Sequence, residues 1–134
     1  MAIKAYSYAK DGKKALSKNF HVWEFQCKDH SDPIFVDDEL VTLLQKIRDH
    51  FGKAVHINSA FRTAAHNSNQ KNASKYSQHL YGKAADIRIE GVSVDKLADY
   101  AETLLSGRGG IGRYYTDNFV HVDVREVKSR WVIR

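Results

Sequence analysis

Ser77-Gln78-His79-Leu80-Tyr81-Gly82-Lys83-Ala84-Ala85-Asp86-Ile87 sets a histidine and an aspartate seven positions apart, with a glycine between them and an apolar run after. Imidazole nitrogen and carboxylate oxygen are both ordinary zinc ligands. Gly82 permits a tight bend, so a loop or short helix carrying His79 can fold back toward a strand carrying Asp86. The strand is read from the alternation in Ala85-Asp86-Ile87-Arg88-Ile89. A catalytic zinc takes a third protein ligand and keeps one position for water. The candidate is His121, in Asn118-Phe119-Val120-His121-Val122-Asp123-Val124-Arg125. Alternation there predicts a half-buried strand with His121 and Asp123 on one face.

The flanking sequence supplies the scaffold. Residues 37–51 form the clearest helix, with Leu40, Val41, Leu43, Leu44, Ile47 and Phe51 at helical spacing. Asp37, Asp38 and Glu39 sit where the helix dipole favours negative charge, and Gly52 follows as the C-cap. His50 is read as a last-turn cation. Residues 54–58 predict a strand that delivers Ser59 and Arg62 to a loop. Ser93 caps a second amphipathic helix bearing Val94, Leu97, Ala98, Ala101, Leu104 and Leu105. Residues 109–115 are a Gly-rich strand whose glycines would let a bound peptide approach the backbone. The pattern implies one α/β (α+β) domain. Its central, mostly antiparallel sheet carries the candidate site, with helices packed on one face.

Composition narrows the function. With 134 residues the chain has room for one domain with a real core. Residues 1–19 read as a basic arm with Lys4, Lys10, Lys13, Lys14 and Lys18, and residues 20–134 as the domain proper. No apolar run approaches the length of a membrane span, and the first residues lack the apolar core of a signal peptide. One cysteine, Cys27, excludes an internal disulfide and reads as a small buried hydrophobe. The net charge of +5 and a pI near 9.3 favour anionic partners. The Lys and Arg residues are scattered rather than clustered on one helix, so nucleic acid is not the expected partner.

The string SxHxxGxAxDI at 77–87, followed by FVHVD at 119–123, resembles the M15 family of zinc peptidases. That group includes D-Ala-D-Ala carboxypeptidases and dipeptidases acting on bacterial cell-wall peptides. Ile57-Asn58-Ser59-Ala60-Phe61-Arg62-Thr63, with Asn67 after it, is similar to that family's SGYRT…N segment, and Lys128-Ser129-Arg130-Trp131 to its closing RSW. The resemblance runs from about residue 20 to about residue 131. It implies a hedgehog-like fold and Zn2+ held by His79, Asp86 and His121. Arg62 would grip a substrate carboxylate with paired hydrogen bonds, and Ser77 would bind the substrate backbone.

Two departures from the family pattern stand out. Gln70-Lys71-Asn72-Ala73 replaces a Gly-rich piece, and Asn118 stands where many relatives carry an acid, three residues before the last zinc histidine. The base then falls to Asp123 or to Asp117, with Asp123 alternatively orienting His121. The implied activity is hydrolysis of peptidoglycan stem peptides or cross-bridges by metal-activated water, as carboxypeptidase or endopeptidase. A monomer is expected, cytoplasmic until released or carried by a phage or prophage particle. A non-catalytic zinc module of the hedgehog type is the rival, and binding of metal without cleavage distinguishes it. A nucleic-acid-binding domain would instead show salt-sensitive, chelator-indifferent binding.

Overall fold

A computed structural model describes residues 2–69 and 77–134 of the chain. The substitution at Gln70-Lys71-Asn72-Ala73 lies outside the described residues. The basic arm contributes strand β1 (Ile3–Ser7) and a single helical turn, α1 (Tyr8–Asp11). A 3-10 turn at Val22–Phe25 follows, then strand β2 (Pro33–Asp37). β1 and β2 pair antiparallel as a small sheet of their own, with Ile3 opposite Asp37. Asp32 fastens this piece. Its two oxygens accept hydrogen bonds from the Ser7 hydroxyl and the Ala9 N–H, each at 2.8 Å.

Helix α2 (Asp38–Phe51) starts and stops where its caps require. Asp37 Oδ1 accepts the Glu39 N–H at 2.9 Å, and Gly52 ends the helix in the left-handed conformation at φ 63°. His50 stacks on Tyr100, with ring centroids 3.7 Å apart. Helix α4 (Val94–Leu104) is capped in the same way by the Ser93 hydroxyl. Between them come strand β3 (His56–Ser59), the short helix α3 (Ala64–Ser68) and strand β4 (Ala84–Arg88). Strands β5 (Gly110–Tyr114), β6 (Phe119–Asp123) and β7 (Ser129–Ile133) complete the chain.

The main sheet runs in the order β3-β4-β6-β5-β7. Its pairings are antiparallel except β5 with β7, which is parallel. The chain therefore crosses the end of β5 between Asp123 and Ser129. One face of the sheet is apolar: Ala85, Ile87, Ile111, Val120 and Val122 join the buried sides of α2 and α4 in a single cluster. Alternation then sends Asp86, His121 and Asp123 to the other face. Among the described residues no helix is long and apolar enough to cross a membrane.

Candidate metal centre

The strand register aligns the site before any side chain is considered. Ser59 pairs with Asp86, Asp86 with His121, His121 with Gly112, and Gly112 with Trp131. These five residues form one row across the sheet on one face. His79 joins the row from outside. It sits in a 3-10 turn (Gln78–Tyr81) whose N-terminus is capped by the Ser77 hydroxyl accepting the His79 N–H at 3.2 Å. Gly82 closes that turn in the left-handed conformation at φ 69°. A β-carbon on Gly82 would meet the Phe35 carbonyl oxygen at 2.3 Å, so no other residue fits there.

His79, Asp86 and His121 are buried, with ligand atoms within 4.8 Å of one another. Asp86 Oδ1 lies 3.3 Å from His79 Nε2 and 3.0 Å from His121 Nδ1. The remaining ring nitrogens are committed elsewhere. His79 Nδ1 donates to the Ala60 carbonyl at 2.6 Å, and His121 Nε2 donates to Asp123 Oδ2 at 2.7 Å. A carbonyl and an ionised carboxylate only accept, so each donor position holds its ring's proton. Neutral imidazoles would thus aim two lone pairs at a third lone-pair atom. Such a set calls for a cation, and its nitrogen and oxygen donors suit zinc.

The titration pattern follows from the same crowding. Burial lowers the His79 pKa, with the Asp86 carboxylate opposing. Burial also acts against the charged form of His121, but its hydrogen bonds to Asp123 and Asp86 outweigh that and raise its pKa. Any proton taken up on Nδ1 would occupy the place where a metal would bind, so metal uptake and protonation of that nitrogen would compete. Burial resists ionisation of Asp86. The His79 charge and the His121 hydrogen bond nonetheless hold its carboxyl well below the usual carboxylate range.

Two expected roles are relocated by this geometry. Asp123, the first choice for base, is fully buried on the far side of the His121 ring from Asp86. Its oxygens accept from His121, from the Gly110 N–H at 2.8 Å, and from the Arg125 backbone N–H and guanidinium. A carboxylate so placed holds the Nε2 edge of His121, which is the orienting role that stood as its alternative. Asp117, the second choice, is exposed in the turn between β5 and β6.

Arg62, expected to grip substrate, points into the site's own frame. Its Nε, Nη1 and Nη2 donate to Ser59 Oγ, Asn67 Oδ1 and Asp86 Oδ2 at 3.1, 3.2 and 3.2 Å. This clamp accounts for the Ser, Arg and Asn of the upstream motif. Burial lowers the Arg62 pKa, with Asp86 the first of the opposing charges. Cys27 is buried, as its composition role predicted, with its sulfur 3.4 Å from the Thr63 nitrogen.

The glycines of β5 serve neighbours within the protein rather than a bound peptide. A β-carbon on Gly110 would strike the Asp123 carboxylate, with Oδ2 the nearest atom, and one on Gly112 would lie 2.4 Å from the Trp131 indole. Trp131 therefore lies over the row, its ring centroid 4.9 Å from that of His121, with the Arg125 guanidinium 5.6 Å from its own centroid. Its indole N–H donates to the Tyr114 hydroxyl at 3.0 Å. Sequence reasoning gave neither Trp131 nor Tyr114 a role. The available signal was the Gly-x-Gly alternation of β5, which strips one strand face bare beside two acidic and imidazole side chains.

The peptidase M15 family model matches residues 16–123. The chain belongs to the peptidase M15 family. Two relatives carry fuller names. The probable peptidoglycan L,D-endopeptidase MepK of Haemophilus influenzae is 38% identical over 79 residues, 56% of this chain and 41% of the relative. The peptidoglycan L,D-endopeptidase MepK of Escherichia coli K12 is 30% identical over 94 residues, 66% of this chain and 50% of the relative. The chain thus spans half the length of these curated relatives or less. The family match includes the whole His79, Asp86 and His121 set and stops short of Trp131.

Proposed function

We propose that this chain is a zinc-dependent peptidase that hydrolyses peptide bonds of bacterial peptidoglycan. The observation that carries the reading is the convergence of three ligand atoms on the inner face, with both imidazole protons held on the outer nitrogens. His79 Nε2, His121 Nδ1 and Asp86 would hold the metal. Zinc bound there supplies a Lewis acid and a water whose pKa falls from about 16 to about 7.

The protein's part is positional. Ala60 and Asp123 fix the two tautomers, and the Arg62 clamp fixes Asp86. Trp131 walls one side of His121 against solvent. Burial raises the Tyr114 pKa, while the indole N–H it accepts and the charges of Asp86 and Arg62 also act on it. A phenol that accepts the Trp131 N–H keeps its own proton to donate to an acceptor on that face. Cleavage within a stem peptide or cross-link is favoured over removal of a terminal D-Ala. Arg62, the expected grip for a terminal carboxylate, is turned to Asp86, and both named relatives are endopeptidases. Its working place is the cell wall, reached on lysis or by delivery in a particle.

The test is digestion of purified peptidoglycan with and without chelator, followed by mass analysis of the fragments. New peptide termini that vanish with chelator and in His79→Ala support the reading. Metal bound by all three residues with no new termini would favour a non-catalytic zinc module. The commitment of Asp123 to His121, together with Asn118, gives that rival its footing.

A further inference from the structure

Arg88 lies two residues beyond Asp86 on β4, on the same sheet face and roughly 7 Å along the strand. It pairs with His56 of the edge strand β3. Arg88 is half-buried, and among the described residues it has no ion pair or side-chain hydrogen bond. That sets it apart from Arg62, Arg108, Arg113, Arg125 and Arg130, each of which meets an acid. A half-buried guanidinium without an acceptor is a recognition group in waiting, because its planar fork matches a carboxylate.

The surroundings agree. Arg88 lines a cleft of about 550 Å³ along the outer side of β3, with Lys28, His30, His56 and Asn58. Trp23, 55% exposed, stands at its rim. The one acid on the wall, Glu24, is already occupied: its carboxylate accepts the His21 N–H at 2.7 Å and lies 3.6 Å from the His21 ring. The cleft therefore offers fixed positive charge and exposed imidazoles, with no acid free to compensate. It ends at Asn58, next to Ser59, which pairs with Asp86 in the metal row. A peptide extended from the metal row along β4 would bring its next side chain or two over this charge.

We propose that the Arg88 cleft is a substrate subsite for a free carboxylate on a stem-peptide residue one or two positions from the bond that is cut. Arg88 is the specificity-determining residue and Trp23 an apolar rim against the same residue. The proposal rests on the peptidase reading for its substrate but not for its binding chemistry.

The test compares stem peptides whose internal carboxyls are free with the same peptides amidated at those positions. Wild type should prefer the free acids by about tenfold or more, the size of a charge-assisted hydrogen-bond pair. Arg88→Gln should raise KM for the free acids by that factor and leave kcat within about twofold. It should barely change the amides, so that the preference collapses. Arg88→Lys should restore part of it. A preference unchanged in Arg88→Gln overturns the proposal, and a thermal melt confirms that the variant is folded. If wild type cuts neither peptide, the peptidase reading has failed and calorimetric binding decides the subsite. Tighter binding of the free acids, lost in Arg88→Gln, sustains it, and equal affinity for acid and amide overturns it.

Discussion

Replacing Asp123 with asparagine separates two roles that a carboxylate beside a metal histidine can have. Asp123 accepts five hydrogen bonds, three on Oδ1 and two on Oδ2. An asparagine can keep only one side as an acceptor, because its amide nitrogen donates. Keeping the Oδ1 side preserves the bonds from Gly110 and from the Arg125 backbone and Nε. The amide nitrogen then faces His121 Nε2, which must give up its proton. The proton moves to Nδ1, the nitrogen expected to hold the metal. The opposite flip saves His121 and one Arg125 bond but sets three donors against an NH2 group.

The first arrangement loses fewer bonds, so Asp123→Asn should weaken metal affinity by about 10- to 100-fold, the usual range for a partner of a ligand histidine. That corresponds to about 1.4 to 2.7 kcal/mol. A chelator-competition titration measures the affinity, and long-range nitrogen–proton NMR of the imidazoles reads the tautomer. Wild-type metal affinity with an unchanged His121 tautomer would refute this reasoning. If turnover were lost at the same time, Asp123 would be the proton acceptor after all.

Three further outcomes follow from the geometry. Gly112→Ala places a β-carbon 2.4 Å from the Trp131 indole, so the ring must retreat by about 1 Å to reach normal contact. The expected result is about 1 to 3 kcal/mol of lost stability by denaturant titration, together with a red-shifted tryptophan emission. Gly82→Ala combines a left-handed backbone with a 2.3 Å contact on the Phe35 carbonyl. It should cost more than about 2 kcal/mol and loosen the His79 turn, read as lost protection of amides 79–82 in hydrogen exchange. For pH, the bond from the Ala9 N–H, then that from the Ser7 hydroxyl, hold the Asp32 carboxyl below its ordinary value. A depressed folded pKa gives stabilisation that is full above the unfolded value, about 3.9, and that fades as pH falls through the folded one. Proteolytic cutting near residues 7–11 should therefore rise only below about pH 4. Asp32→Asn should show faster cutting already at neutral pH.

The helices were legible because their signals are local. Asp37 and Gly52 bound α2, and Ser93 opens α4, as their cap chemistry dictates. The approach of His79 to Asp86 was legible because a histidine, a glycine turn and a strand aspartate stand close together in the chain. The pairing of β1 with β2 was not, since it joins Ile3 to Asp37 and neither strand alternates cleanly. The parallel pairing of β5 with β7 was hidden for a similar reason: nothing local distinguishes it from a hairpin. Alternation put Asp123 on the His121 face correctly. Which edge of the ring it meets depends on the histidine rotamer, and strand period says nothing of that. The Arg62 contact with Asp86 was not legible, because an arginine that clamps a neighbouring carboxylate and one that clamps a substrate look alike in one dimension.

The carbonyl of Gly82 accepts the Asp37 N–H at 2.8 Å, and a β-carbon on Gly82 would run into the Phe35 carbonyl. One residue thereby splices the ligand-bearing turn to the end of β2 and the start of α2. Occupancy of the histidines and integrity of the β1–β2 pair should then be lost as one cooperative unit. Metal uptake at His79 should slow amide exchange in residues 3–7, well away from the candidate site, and trimming β1 should be sensed there with His79, Asp86 and His121 all unchanged.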